Sequence, residues 1–181
     1  MERTLYRRVL GDDFGKLPKQ IRDMHTRAFR ATGRADIVRG RSLLARLICA
    51  FSRLPATGLG VPVVTTFDPI EGGERWTRVF NNESFQTDIM FDDKTSGALT
   101  ERFGPFVFTL KMLANEEGND LVPESVKLWG IALPRFLCPE AIGRERVKNG
   151  LYHFDVVVRF PLSGDVVRYD GVLSPDFTAP A

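Results

Sequence analysis

The chain has 181 residues, 43% of them hydrophobic and 27% charged, a single domain's worth of ordinary globular composition that excludes a disordered or fibrous chain and needs no metal or disulfide to build a core. Its net charge of +2 hides an asymmetry, because residues 1–53 hold 13 basic and 5 acidic side chains and the remainder 12 and 18. No run of about 18 apolar residues offers a membrane-spanning helix, no signal-like stretch opens the chain, and Cys49 and Cys138 stand alone, so a reducing, cytoplasmic setting is expected.

The first third reads as helical. Leu5, Tyr6, Val9 and Leu10 recur at helical spacing before Gly11, and Ile21, Met24, His25 and Ala28 follow Pro18 at i, i+3, i+4 and i+7. Ala35 to Val38, bracketed by Gly33 and Gly40, predicts a short strand. Ser42 suits the N-cap of a third helix reaching about Arg53, whose Leu43, Leu44, Leu47, Ile48 and Phe51 form a broad apolar stripe. That stripe is expected to pack on a sheet; with Arg41, Arg46 and Arg53 beside it, peripheral contact with an anionic membrane is the less favoured alternative.

After Gly60 the period changes from about 3.6 residues to 2. Val61, Val63, Thr65 and Phe67 share one face; Trp76, Arg78 and Phe80 the next; then Phe85, Thr87, Ile89 and Phe91. Gly72-Gly73 and Asn81-Asn82 separate these rows, and Asp92-Asp93-Lys94 predicts a further turn. Leu99, Glu101 and Phe103 precede a break at Gly104-Pro105, and Phe106, Phe108, Leu110 and Met112 precede a polar turn from Asn115 to Asp120. Strands are expected around Ser125–Trp129 and Ala141–Val147, separated by a Pro-punctuated stretch. Asn149-Gly150 leads into a clean alternation of Tyr152, Phe154, Val156, Val158 and Phe160, and Val166–Leu173 forms the last strand.

The predicted fold is therefore α+β: N-terminal helices packed on a large, curved antiparallel meander of about eight or nine strands, which can curl into a partly closed barrel. It is one domain over residues 1–174, mainly helical over 1–55 and mainly β over 56–174, with 175–181 a loose tail. Fourteen Phe against 3 Tyr and 2 Trp indicate a dry interior.

No nucleophile elbow, Gly-rich phosphate loop or metal-binding histidine motif occurs, and His25 and His153 are the only imidazoles. No catalytic residue, cofactor or metal is assigned. Nucleic acid is not favoured, for want of a zinc-finger spacing, an RNA-binding signature or a clear helix-turn-helix.

The informative residues are polar ones on apolar faces. Arg78 lies between Trp76 and Phe80, and Glu101 between Leu99 and Phe103, so each points a charge toward the core, where pairing is expected. An Arg78–Glu101 ion pair on the concave face follows, with Arg78 placed to orient an anionic head group. His25 sits on a helical apolar stripe, where a satisfied core histidine is the ordinary reading, and Tyr169 is placed to offer a cavity hydroxyl.

Several stretches carry a resemblance: Leu5 to Gly11, Leu17-Pro18, Gly33-Arg34-Ala35, Leu43 to Leu47, Gly73-Glu74-Arg75-Trp76-Thr77-Arg78-Val79-Phe80 and Glu101-Arg102-Phe103-Gly104-Pro105. Over roughly residues 5 to 174 the chain resembles a bacterial family known as domain of unknown function 4166. Members stand alone or follow a saccharopine-dehydrogenase-like reductase domain, so the resemblance implies an accessory or ligand-binding role. It implies no catalytic residues and draws attention to His25, Trp76, Arg78, Glu101 and Arg102.

The favoured expectation is a non-catalytic binding module for an apolar or amphipathic small molecule, in a concave cavity of several hundred Å³ contacted by Trp76, Arg78, Glu101, His25 and Tyr169. The alternatives are an interaction domain, as a homodimer or a reductase's partner, and an enzyme using His25 or an inward carboxylate as acid or base.

Overall fold

A computed structural model describes residues 5–92, 98–161 and 163–178. Helix α1 (Leu5–Leu10), a 3-10 turn (Gly11–Lys16) and α2 (Lys19–Thr26) come first, followed by strand β1 (Arg30–Arg39) and helix α3 (Leu43–Phe51). The sheet continues with β2 (Gly58–Ile70), β3 (Gly73–Phe80), β4 (Glu83–Phe91), β5 (Ala98–Phe103), β6 (Phe106–Asn115) and β7 (Gly118–Leu128). After a two-residue strand β8 (Ile131–Ala132) and a 3-10 turn (Arg135–Leu137), β9 (Glu140–Lys148), β10 (Leu151–Phe160) and β11 (Gly164–Asp176) complete it.

The α+β class with N-terminal helices holds, but the meander is longer than expected and closes fully. Each strand from β1 to β7 pairs antiparallel with the next, β7 pairs with β9, and β9, β10 and β11 follow in turn. Pairing of β11 with β1 shuts the ring, giving a ten-stranded barrel with β8 as an outer appendage on β7. Right-handed twist curls a long meander until its first and last strands meet, and closure removes the exposed edges.

Three expectations are revised here. The short strand at 35–38 is a ten-residue strand, because β1 lies between β2 and β11 and is paired along its length. The polar turn expected from Asn115 to Asp120 is only Glu116-Glu117, since Asn119 and Asp120 already belong to β7 and pair with β9. The last strand also runs on to Asp176, with Pro175 opposite Ala31. The turn expected at Asp92-Asp93-Lys94 falls largely outside the described residues.

Local signals explain much of this layout. The Ser42 hydroxyl caps α3 by accepting from the Ala45 amide at 3.1 Å. Asn149 and Gly150 adopt φ of 52° and 77°, the paired left-handed conformation of a type I′ hairpin. A residue is inserted at Glu124, where Thr109 faces Ser125 but Leu110 faces Pro123, a bulge that bends β7.

The rows of apolar residues point inward, and most strand charges point outward. Arg75–Asp88 across β3 and β4, and Arg144–Asp155–Arg168 across β9 to β11, are ion-paired on the outer face. A barrel whose outer face meets lipid shows the reverse pattern. Among the described residues no helix is long and apolar enough to cross a membrane.

In an up-and-down barrel, alternate connections share an end. The upper end carries α3, the Asn81-Asn82 and Gly104-Pro105 turns, residues 129–139 and the β10–β11 turn. The lower end receives α1 and α2, which cover it before the chain enters β1.

Candidate functional site in the barrel interior

Side chains fill most of the barrel, and two interior cavities lie among the described residues. The lower, of about 100 Å³, is bounded by Trp76, Ile89, Leu121, Gly143, Glu145 and Tyr152 among others. The upper, of about 70 Å³, lies beneath α3 against Ile48, Leu54, Phe85, Phe103, Phe106 and Phe160. Neither reaches the several hundred Å³ expected of a single cavity, because inward Phe67, Phe80, Phe85, Phe103, Phe108 and Phe154 among others take up the space a thinner core would leave open. Arg78, Glu101, Ala141, Val156 and Tyr169 border both cavities and so form the partition between them.

Strand phase brings the three polar members of that partition together. Arg78 is inward on β3, Glu101 on β5 and Tyr169 on β11. The expected Arg78–Glu101 ion pair does not form. Nη1 of Arg78 instead donates to Thr87 Oγ1 at 3.1 Å, and the guanidinium lies 5.0 Å from the Trp76 ring centroid and 5.5 Å from that of Phe85. Aromatic faces offer a cation partial compensation without a carboxylate, which is how the fold tolerates this half-buried charge. The Glu101 carboxylate and Tyr169 hydroxyl make no hydrogen bond with described residues. Burial pushes the Tyr169 phenol up to about 12, with Arg78 acting to lower it and Glu101 to raise it.

At the lower end lies a polar cluster that the sequence reading missed. Glu145, inward on β9 and buried, accepts at Oε1 from the hydroxyls of Tyr152 (2.6 Å) and Tyr6 (3.2 Å) and contacts His25 Nε2 at 2.7 Å. Its Oε2 accepts from Asn119 Nδ2 at 3.2 Å. The His25 ring stacks on Tyr6 (centroids 3.6 Å apart), and Trp76 lies near-parallel beside it at 5.4 Å. Trp76 in turn donates from Nε1 to Glu74 at 2.9 Å. Burial pushes the Glu145 carboxyl up, but His25 and the donors Tyr152 and Asn119 more than offset it and hold the group below the usual carboxylate range. Burial, reinforced by Glu145, pushes the Tyr6 phenol well up.

This cluster fastens the helices to the barrel. Tyr6 comes from α1, His25 from α2, Asn119 from β7, Glu145 from β9 and Tyr152 from β10. Glu145 and Tyr152 border the lower cavity, whereas His25 does not: it is 1% exposed and lies behind Glu145, Tyr152, Trp76 and Phe67. His25 is therefore a core histidine with a partner.

The period of two could have exposed Glu145, which shares a face with Ala141, Gly143 and Val147. Its neighbours Arg144 and Arg146 gave the stretch the look of a solvated strand. Nothing local marks Tyr6 or Asn119 as its partners.

A larger hollow of about 720 Å³ lies on the outer face over β9 to β11 and includes His153. It is open to solvent, and Asp155 within it is already engaged by Arg144 (3.3 Å) and Arg168 (3.2 Å). Among the described residues no group of three or more His, Cys, Asp or Glu could hold a metal ion.

No curated protein and no solved structure matches the chain. The family profile described as domain of unknown function (DUF4166) matches residues 17–173. That span includes the Trp76–Phe80 and Glu101–Pro105 stretches and leaves the Leu5–Gly11 run outside it. The barrel with its Arg78–Glu101–Tyr169 partition lies almost wholly within the match, and the chain belongs to the DUF4166 family.

Proposed function

We propose that the barrel is a binding module that takes a small amphipathic molecule into its lumen, with the polar end of that molecule held at Arg78, Glu101 and Tyr169. One observation carries this reading: three polar side chains converge on the wall shared by two cavities and make a single side-chain hydrogen bond among them, that of Arg78 to Thr87. Inward polar groups are ordinarily paired, so half-buried Arg78 and Glu101 and buried Tyr169, left largely unpaired beside empty space, support a place for a ligand. Arg78 supplies donors for an anionic or carbonyl oxygen, Glu101 accepts from a hydroxyl or amine, and Tyr169 can do either.

The ligand is small. Each cavity is below the ~150 Å³ that holds one benzene-sized molecule. Movement of Val156 or Tyr169 would join the two.

An acid–base enzyme has less support. His25 is sealed from both cavities, and Glu145 already takes contacts from four partners.

Native mass spectrometry of the protein purified from its own host, beside Arg78→Met prepared identically, tests the proposal. The expected result is a small-molecule adduct on the first and its loss from the second. Bare protein in both cases, with no adduct after incubation with short-chain carboxylates, would overturn it.

A further inference from the structure

The upper end of the barrel exposes large apolar side chains instead of burying them. On α3 only Ala45 and Cys49 are buried, and Leu43, Leu47 and Phe51 face outward, Phe51 being 83% exposed. The stripe expected to pack on the sheet is thus only partly used. Across the same end, the β7–β9 connection exposes Trp129, Ile131 and Phe136. Alternation of the meander places both segments at one mouth, with the upper cavity beneath α3.

Two features separate this patch from ordinary surface leucines. Residues 40–57 contain Arg41, Arg46 and Arg53 and no acid, and residues 129–139 contain Arg135 and no acid. The protein's 23 acidic residues leave both segments clear. Trp129 also sits at the tip of a two-residue hairpin with φ of 49°, followed by Gly130 at 82°. Left-handed backbone favours Asn, Asp or Gly, so a bulky aromatic there is held against its conformational preference. It is 78% exposed and gains no burial in return. Strain retained without a packing benefit points to a use outside the domain.

From this we infer that the upper end of the barrel docks on an anionic lipid bilayer, with α3 and the Trp129 hairpin entering the interface. Leu, Phe and Trp suit the boundary between headgroups and acyl chains, and the interleaved arginines meet anionic headgroups. The charge composition selects this occupant over a second copy of the chain, since two such faces would bring eight arginines together with no acid from these segments to pair them. The inference stands independently of the lumen's ligand.

Vesicle flotation and tryptophan emission test it together. The probes are vesicles of phosphatidylcholine alone and of phosphatidylcholine mixed equally with phosphatidylglycerol. Partitioning is expected to be roughly tenfold or more stronger on the anionic vesicles and to weaken with added salt. Emission should move to shorter wavelength on binding, and the Trp129→Phe protein should lose that shift, because Trp76 is already buried. The double variant Leu47→Glu, Phe51→Glu alters only exposed positions and should keep its thermal melting while losing vesicle binding. Binding undiminished in that variant overturns the inference, as does equal indifference to both vesicles. A concentration-dependent emission shift with a doubled mass by light scattering, and no vesicle binding, would assign the patch to self-association instead.

Discussion

Glu145 Oε1 and His25 Nε2 lie 2.7 Å apart although 120 residues separate them in the chain. One belongs to a barrel strand and the other to a helix that covers the barrel's lower end, so this contact ties the two parts of the fold together. Around it, Tyr6, Tyr152 and Asn119 satisfy the remaining capacity of the same carboxylate.

Glu145→Leu removes the acceptor and strands four buried partners. Breaking a buried charge network in this one-sided way costs about 3–5 kcal/mol. Tyr152→Phe removes one donor to a charged group and should cost about 1.5–3 kcal/mol. Urea unfolding followed by circular dichroism measures both, and a Glu145→Leu protein as stable as wild type would remove the latch role.

The same carboxylate gives the protein an acid limit. Its folded-state value is held below the ordinary one, so its contribution is complete above the unfolded value of about 4.3. That contribution is lost as pH falls through the lower folded value. Unfolding free energy should decline over that window, and the decline should be shallower in Glu145→Gln, measured as urea midpoint against pH.

Tyr169 sets an alkaline limit of opposite sign. Its phenol is pushed up to about 12 by burial, against an unfolded value of about 10. The stabilisation is full below the unfolded value and disappears as pH rises through the folded one. Tyr169→Phe should flatten the loss of stability above roughly pH 10, read from thermal melts across that range.

Ala141 borders both cavities, so enlarging it tests the lumen directly. Ala141→Leu should fill space next to Arg78 and abolish uptake of a small amphipathic ligand. Its stability should change by less than about 1–3 kcal/mol, the usual cost of overpacking. Retained ligand in this variant, scored by native mass spectrometry, would place the ligand outside the lumen.

The two thiols should report the fold differently. Cys49 is fully buried, its Sγ donating to the Val166 carbonyl at 3.3 Å, and burial pushes the thiol up. Cys138 is half-buried. Iodoacetamide should label Cys138 in the native protein and Cys49 only after unfolding, as followed by peptide mass spectrometry.

Much of the strand plan was legible because it is local. The rows Trp76–Arg78–Phe80 and Phe85–Thr87–Ile89 declare their period without reference to the rest of the chain, and Asn149-Gly150 announces its hairpin. Arg78, Glu101 and Tyr169 were recognised as inward for the same reason. Their relation was misjudged, because an inward phase says nothing about which neighbours the barrel's curvature brings within reach.

By itself, then, the sequence determined the α+β class, the N-terminal helices, the antiparallel meander and the inward phase of its polar residues, since these follow from nearest-neighbour spacing. Only the tertiary structure decided that β11 returns to β1, that Glu145 meets His25 and Tyr6, and that Leu43, Leu44, Leu47 and Phe51 of the α3 stripe are exposed. Those outcomes depend on ring closure, in which twist accumulated over ten strands sets distances between residues more than a hundred positions apart.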